Sequence, residues 1–240
     1  MKAIAHQGEG LDGARYCDME LSDVGPGQVC VKLKAAALNH RDIWTCMRAE
    51  PSGPPVILGS DGAGIVERVG AGVTDLSPGD EVVINSSQDW ASRSEVPLGE
   101  YGIGYKILGF PDHGTFAEQI VIGRHQIEPK PAFLDWREAA AMCLVGITTY
   151  RALFTEGRLE AGQTVAIPGI GGGAATQALL YAKAAGARTV VTSRSADKLE
   201  QARQLGADLA VPSDGDWGQA VRDFTAGRGA DIVIETVGEA

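Results

Sequence analysis

Cysteine is scarce in this chain and none of it is paired in sequence. Cys17, Cys30, Cys46 and Cys143 are scattered through 240 residues with no C-x-x-C. That pattern argues against a disulfide frame or a cysteine zinc site, and for reduced thiols in a cytoplasmic compartment. Positive charge is short as well: 21 Lys and Arg face 31 Asp and Glu, a net charge of −10. Such a balance disfavours nucleic acid and anionic membrane surfaces as partners. No apolar run approaches the roughly 20 residues that span a bilayer, and residues 1–10 lack the apolar centre of a secretory leader. What remains is 44% hydrophobic, ordinary for a globular protein, and the chain is long enough for two domains.

Residues 1–125 read as β-rich. Short runs at 29–33, 65–69 and 81–84 are separated by turn signals at Gly25-Pro26-Gly27, Gly53-Pro54-Pro55 and Pro78-Gly79-Asp80. Many short strands without long helices suggest a barrel. Residues 85–113 are polar, contain Trp90, Tyr101 and Tyr105, and show no period; a long surface loop is expected there. Pro129-Lys130-Pro131 marks a joint. Residues 126–240 then alternate helical and strand patterns, beginning with a helix capped by Asp135 and Glu138. The expected parallel strands lie at 164–167, 188–192, 208–211 and 231–235, with right-handed crossovers. A doubly wound nucleotide fold has six strands, so two βαβ-type units are expected to be missing: either the chain is a fragment or the domain closes in some other way.

The first of these strands runs into Gly169-Ile170-Gly171-Gly172-Gly173-Ala174, and a helical pattern follows. With 32 glycines in the chain, a G-x-G-x-x-[GA] match alone means little. In a strand–turn–helix setting it points to a dinucleotide. Gly169 serves the tight turn, Gly171 the approach to a pyrophosphate, and Ala174 close helix packing, with Gly172 and Gly173 opening the helix start to phosphate. An NAD site places an acid about 20 residues on, at the end of the second strand. Here that end reads Thr192-Ser193-Arg194-Ser195. A hydroxyl and an arginine suit a 2′-phosphate, with Lys198 as a further donor, so NADP(H) is expected over NAD(H).

Several motifs together resemble the medium-chain dehydrogenase/reductase superfamily, its alcohol dehydrogenase and quinone oxidoreductase members. They are Asn39-His40-Arg41-Asp42, Gly59-Ser60-Asp61-Gly62-Ala63-Gly64, Gly114-Thr115-Phe116-Ala117-Glu118, Leu144-Val145-Gly146-Ile147-Thr148-Thr149-Tyr150, and the glycine turn. The resemblance covers the whole chain. It implies an N-terminal GroES-like barrel and a C-terminal Rossmann domain, with substrate and nicotinamide in the cleft between them. It also implies a longer natural chain and a dimer or tetramer. Thr148 is then expected against the nicotinamide, and Val237 and Gly238 beside the cofactor ribose. At the three places where zinc-dependent members carry Cys, His and Cys, this sequence has Asn39, Ser60 (followed by Asp61) and Leu144. Those side chains do not form a zinc ligand set. Cys143 is one residue off, about 100° around a helix. No metal is expected.

Without a Lewis acid, an activated alkene or a quinone is the easier hydride acceptor, because it already delocalises the developing charge. By the match to the lost ligand positions, Asn39 and Ser60 are candidate donors to an oxyanion. His40, Asp61 and Arg41 are the nearest ionisable groups, and none is singled out as a proton donor. The expected function is an NADPH-dependent reductase of that kind. The alternatives are a zinc-free alcohol or aldehyde oxidoreductase, or a non-catalytic NADPH-binding protein.

Overall fold

A computed structural model describes residues 1–8, 10–48, 53–90, 98–99, 102–236 and 238. The chain forms two compact units, Met1–Leu144 and Val145–Ala240.

The first unit is antiparallel. β1 (Lys2–His6) lies between β2 (Ala14–Asp18) and β4 (Val56–Ile57). A larger sheet is built from β3 (Gln28–Ala37), β5 (Asp61–Val69), β6 (Glu81–Ile84), β11 (Gln119–Gly123) and β12 (Ile127–Pro129), in the order β11-β3-β5-β6-β12. On β11 the buried residues Ile120 and Ile122 alternate with half-buried ones, the period-2 pattern of a sheet with one face on the core. They pack with Val29, Val31, Val66, Val82, Ile84, Leu108 and Ile127. α1 (His40–Arg48) follows β3 directly. α2 (Trp136–Ala141) opens on Asp135, whose side chain accepts from the Arg137 and Glu138 amides, while the Glu138 carboxylate accepts from the Asp135 amide. The expected capping box is therefore present. Ala139 and Ala140 of α2 pack on Ala63 of β5. Residues 126–144, expected in the second domain, thus belong to the barrel unit, because β12 pairs with β6 and α2 packs on β5.

Of the expected loop at 85–113, residues 91–97, 100 and 101 lie outside the described residues, and the remainder contains short ladders. β7 (Ser87–Gln88) pairs with β10 (Lys106–Ile107), and β8 (Leu98–Gly99) pairs with β9 (Gly102–Ile103). Two-residue ladders leave no readable period in a sequence, which is why the pattern missed them.

The second unit holds a parallel sheet of β13 (Thr164–Ile167), β14 (Arg188–Ser193), β15 (Leu209–Pro212) and β16 (Ile232–Val233), in the order β15-β14-β13-β16. Numbered within the sheet this is 3-2-1-4, the first four places of the doubly wound order. β13 is buried along its whole length, as strands covered on both faces are. β16 is shorter than the expected run at 231–235. It is an edge strand with Val233 52% exposed, although the Asp231 and Ile234 amides extend the pairing to Thr164 and Ala166. α3 (Cys143–Tyr150) continues into π-helical turns over Arg151–Glu156. α4 (Gly173–Ala184) turns Ala175, Ala178, Leu179 and Ala182 to the core, the i, i+3, i+4, i+7 set of one helix face. α5 (Ala196–Gln204) and α6 (Trp217–Phe224) start on the side-chain caps Ser195 and Asp216.

Glycine is obligatory where the barrel closes on itself. The Gly114, Thr115 and Phe116 amides donate to the carbonyls of Ile57, Gly59 and Leu58. A Cβ on Gly114 would stand 1.9 Å from the Gly59 carbonyl oxygen and 2.7 Å from that of Leu58. Both are backbone atoms held in pairing, so they cannot yield cheaply. Gly114→Ala is expected to destabilise the first unit by about 3 kcal/mol, read as a lower midpoint of urea unfolding. Gly215→Ala, which meets nothing within 4 Å, is expected to leave that midpoint nearly unchanged.

Candidate active site

Three segments of the barrel unit meet at one carboxylate. Asp61, at the start of β5, is 1% exposed. Its Oδ2 accepts from Asn39 Nδ2 at 2.8 Å, and its Oδ1 accepts from the Leu144 amide at 2.7 Å. Asn39 stands just before α1, and Leu144 lies early in α3. The Asn39 backbone amide is in turn held by Asp42 Oδ2 at 2.8 Å, which closes the N-terminal turn of α1. Burial raises the Asp61 pKa, and the two donors together offset that only in part. Asp42 adds a small push in the same direction, and the result is a pKa of about 6. Beside it, the Cys143 thiol donates to the Ala139 carbonyl at 3.3 Å. Burial, followed by the Asp61 charge, pushes that thiol up to about 12, so it stays protonated and inert.

A second cluster adjoins the first. Ser60 is fully buried, and its Oγ donates to the Leu108 carbonyl at 2.7 Å. Arg41 Nη1 donates to the same carbonyl at 2.8 Å and to Ser60 Oγ at 3.0 Å. The Ser60 proton is therefore spent on Leu108, and the hydroxyl serves as an anchor for the guanidinium. His40 lies apart from both clusters. It is exposed, and its ring stacks on Trp44 one turn along α1, 4.8 Å between centroids. Sequence reasoning named Arg41 only as a nearby ionisable group. The acceptor that fixes it, the Leu108 carbonyl, is a backbone atom and carries no signature in sequence.

In the second unit the glycine turn joins the end of β13 to α4. Gly169 has φ +71° and Gly171 φ +118°, conformations that glycine adopts without strain. The Ile170 amide donates to the Thr192 carbonyl at 2.8 Å, and the Gly169 amide to Thr192 Oγ1 at 3.3 Å. The turn is thus tied to the end of β14. Gly172 is the N-cap of α4 and supplies no side-chain acceptor, so the first helical amides, from Gly173 and Ala174 onward, face outward with the positive end of the dipole. Residues 171–173 are exposed. The stem of Lys198 lies across the turn: a Cβ on Gly171 would be 2.5 Å from its Cδ. Arg194 is exposed, while the Ser193 hydroxyl is buried and accepts from the Ser195 amide at 3.1 Å. Thr148 is exposed on α3 and Gly238 is exposed with φ +78°. Val237 lies outside the described residues.

Comparison with known proteins matches both units. Residues 25–132 fit the alcohol dehydrogenase GroES-like domain, and residues 173–240 fit a zinc-binding dehydrogenase family. A solved NAD-dependent alcohol dehydrogenase shares 38% identity and superposes with a TM-score of 0.91, over 99% of this chain and 71% of that one. The chain belongs to the medium-chain dehydrogenase/reductase superfamily. A zinc-type alcohol dehydrogenase-like protein of Schizosaccharomyces pombe is 36% identical over 90% of this chain and 63% of its own length. The crotonyl-CoA reductase of Streptomyces avermitilis is 29% identical over 92% of this chain and 59% of its own. The chain thus spans about 60% of the length of these two relatives. No described helix is long and apolar enough to cross a membrane.

The family's zinc does not suit the residues found here. Asn39 presents an amide N–H to Asp61, Ser60 spends its hydroxyl proton on Leu108, and the Leu144 side chain has no ligand atom. A guanidinium stands 3.0 Å from Ser60 Oγ, where it would repel a cation. Among the described residues no group of three or more His, Cys, Asp or Glu is placed to hold a metal.

The raised Asp61 pKa has a testable consequence. Its unfolded value is near 3.9, so the fold favours the protonated form. Its contribution to stability is complete below about pH 4 and is lost as pH rises through about 6. The gap between the folded and unfolded values is worth about 3 kcal/mol. Urea unfolding at pH 4 and pH 7 is expected to show wild type losing that amount relative to Asp61→Asn. Parallel pH dependence of the two proteins would contradict it.

Proposed function

We propose that the protein is an NADPH-dependent, zinc-free reductase of activated alkenes or quinones in the cytoplasm. One observation carries the reading: the places of the family's zinc ligands hold a hydrogen-bonding network built on Asp61, with a guanidinium beside it and no soft ligand. A plain ketone or alcohol needs a strong electrophile at its oxygen. An enone or quinone spreads the developing charge and needs only hydrogen bonds. Its similarity to a protein named crotonyl-CoA reductase supports the alkene substrate. The four free cysteines support a reducing compartment.

A bound nicotinamide dinucleotide supplies hydride. The exposed amides at the start of α4 hold its pyrophosphate. Arg194 and Lys198 take the 2′-phosphate as charge-assisted donors, and no carboxylate stands at that strand end to repel it. Asp61 holds the Asn39 amide in one orientation, and the second N–H of that amide is left to bind a substrate oxygen. Thr148 and Gly238 border the nicotinamide half. The similarity to a structure titled NAD-dependent makes cofactor preference the point to test.

NADPH is expected to bind at least tenfold more tightly than NADH when followed by its fluorescence. Arg194→Ala is expected to lose about tenfold for NADPH with NADH unchanged. Tighter NADH binding by wild type would refute the assignment. With NADPH bound, an enone is expected to be reduced and the matching saturated ketone left untouched; reduction of both favours the alcohol or aldehyde reading, and reduction of neither a binding protein.

A further inference from the structure

Among the described residues, Arg41 makes no direct ion pair, and the Asp42 carboxylate and Tyr105 phenol act on it only through space. Its hydrogen bonds there all use Nη1, and both acceptors are neutral, the Ser60 hydroxyl and the Leu108 carbonyl. No Asp or Glu oxygen of the described residues lies within ion-pair distance of it. The adjacent carboxylate, Asp42, is turned to the Asn39 amide. Asp61 is occupied by Asn39 and Leu144. The guanidinium is half-buried, so water screens it poorly. Nε and Nη2 keep their N–H groups, in the planar geometry that suits an oxyanion.

Thr45, one turn further along α1, lines a cavity of about 240 Å³ together with His6, Gln7, Leu58, Phe110 and Pro111; Arg41 itself does not line it. Leu58 lies two residues before Ser60, and Phe110 two residues after Leu108. The segments that pin Arg41 therefore also wall this largely apolar space.

We propose that Arg41 is the group that stabilises the substrate oxygen as it becomes negative. This rests on the reductase reading above. Hydride reaching the β-carbon of an enone drives the alkene pair toward the carbonyl, whose oxygen becomes an enolate. The Arg41 Nε and Nη2 protons hydrogen-bond that oxygen. A solvent proton then completes the α-carbon, and the two electrons have come from NADPH. The charge is fixed in place by Ser60 and Leu108 before substrate arrives, so little reorganisation is needed as the oxyanion forms.

The test uses 4-nitrophenol, whose phenolate mimics the oxyanion and reports ionisation by absorbance, alongside enone turnover. Arg41→Gln keeps an amide that can donate to Ser60 and Leu108 but removes the charge. Wild type is expected to bind phenolate and to lower the pKa of bound 4-nitrophenol by about one unit. Arg41→Gln is expected to lose at least tenfold in phenolate affinity and roughly 100-fold in enone kcat. NADPH binding should stay within twofold. Arg41→Lys should recover part of both losses. Unchanged phenolate affinity in folded Arg41→Gln, or an unshifted phenol pKa on wild type, overturns the proposal. The wild-type titration decides the matter even if the variant does not fold. Phenolate binding that depends on Arg41, in a protein that reduces no enone or quinone, would sink the reductase reading while leaving the anion site standing.

Discussion

The barrel unit depends on a carboxylate that is costly to bury. Asp61 is almost wholly removed from water, and burial outweighs its two hydrogen bonds. A buried acid held by donors from two distant segments is a poor stabiliser but a strong specifier. It fixes the Asn39 side chain from one side and the first turn of α3 from the other. A hydrophobic residue at 61 would pack at lower cost and would leave both donors without an acceptor.

The second charge of the site is arranged in the opposite way. Asp61 has donors enough to hold its oxygens, whereas Arg41 has acceptors for one nitrogen only among the described residues. Acid and base stand close in sequence to the same motifs, Arg41 beside Asn39 and Asp61 beside Ser60, yet the fold does not pair them. A mutual salt bridge would have neutralised both. Separate neutral partners keep a positive charge available in a half-buried place, at the expense of desolvation. An arginine that only tied Leu108 to Ser60 would need no such charge, since a glutamine could make those hydrogen bonds.

Much of this was legible in the residues. The glycine turn was readable because strand, turn and helix each have a local period and occur in order. The Asp135–Glu138 cap is a three-residue signature and was found as written. The parallel sheet followed from helices and strands of regular length. The barrel's strands were read at β3, β5 and β6, where an apolar run is bounded by clear turn signals. They were missed at β1, β2 and the two-residue ladders of 85–113, where pairing is set by distant backbone rather than by local pattern. Among site residues, Asn39 and Asp61 were named from spacing, and their contact is a feature of the fold. The roles of Leu108 and Leu144 rest on main-chain groups, a carbonyl and an amide, that any residue provides. Ser60 reads as a hydroxyl donor in sequence; only the geometry reveals that its proton is committed.

The two sites also differ in how freely they can change. The exposed groups at the glycine turn, Arg194 and Lys198, touch little of the core. Replacing them would alter a charge pattern with little effect on folding, since surface substitutions usually shift stability by about 0.5 kcal/mol or less. Ser193 is buried and already holds the Ser195 amide, so it shapes the strand end rather than selecting a ligand. The Asp61 and Ser60 clusters have less freedom, because the buried oxygens of both residues are committed to hydrogen bonds with other segments. On the proposed reading, cofactor choice would lie with replaceable surface residues, and the groups facing a substrate oxygen with the barrel's own hydrogen bonding. A change of cofactor would need one or two exposed substitutions. A zinc ligand set at these places would need Asn39, Ser60 and Leu144 to change together, with Arg41 removed from beside them.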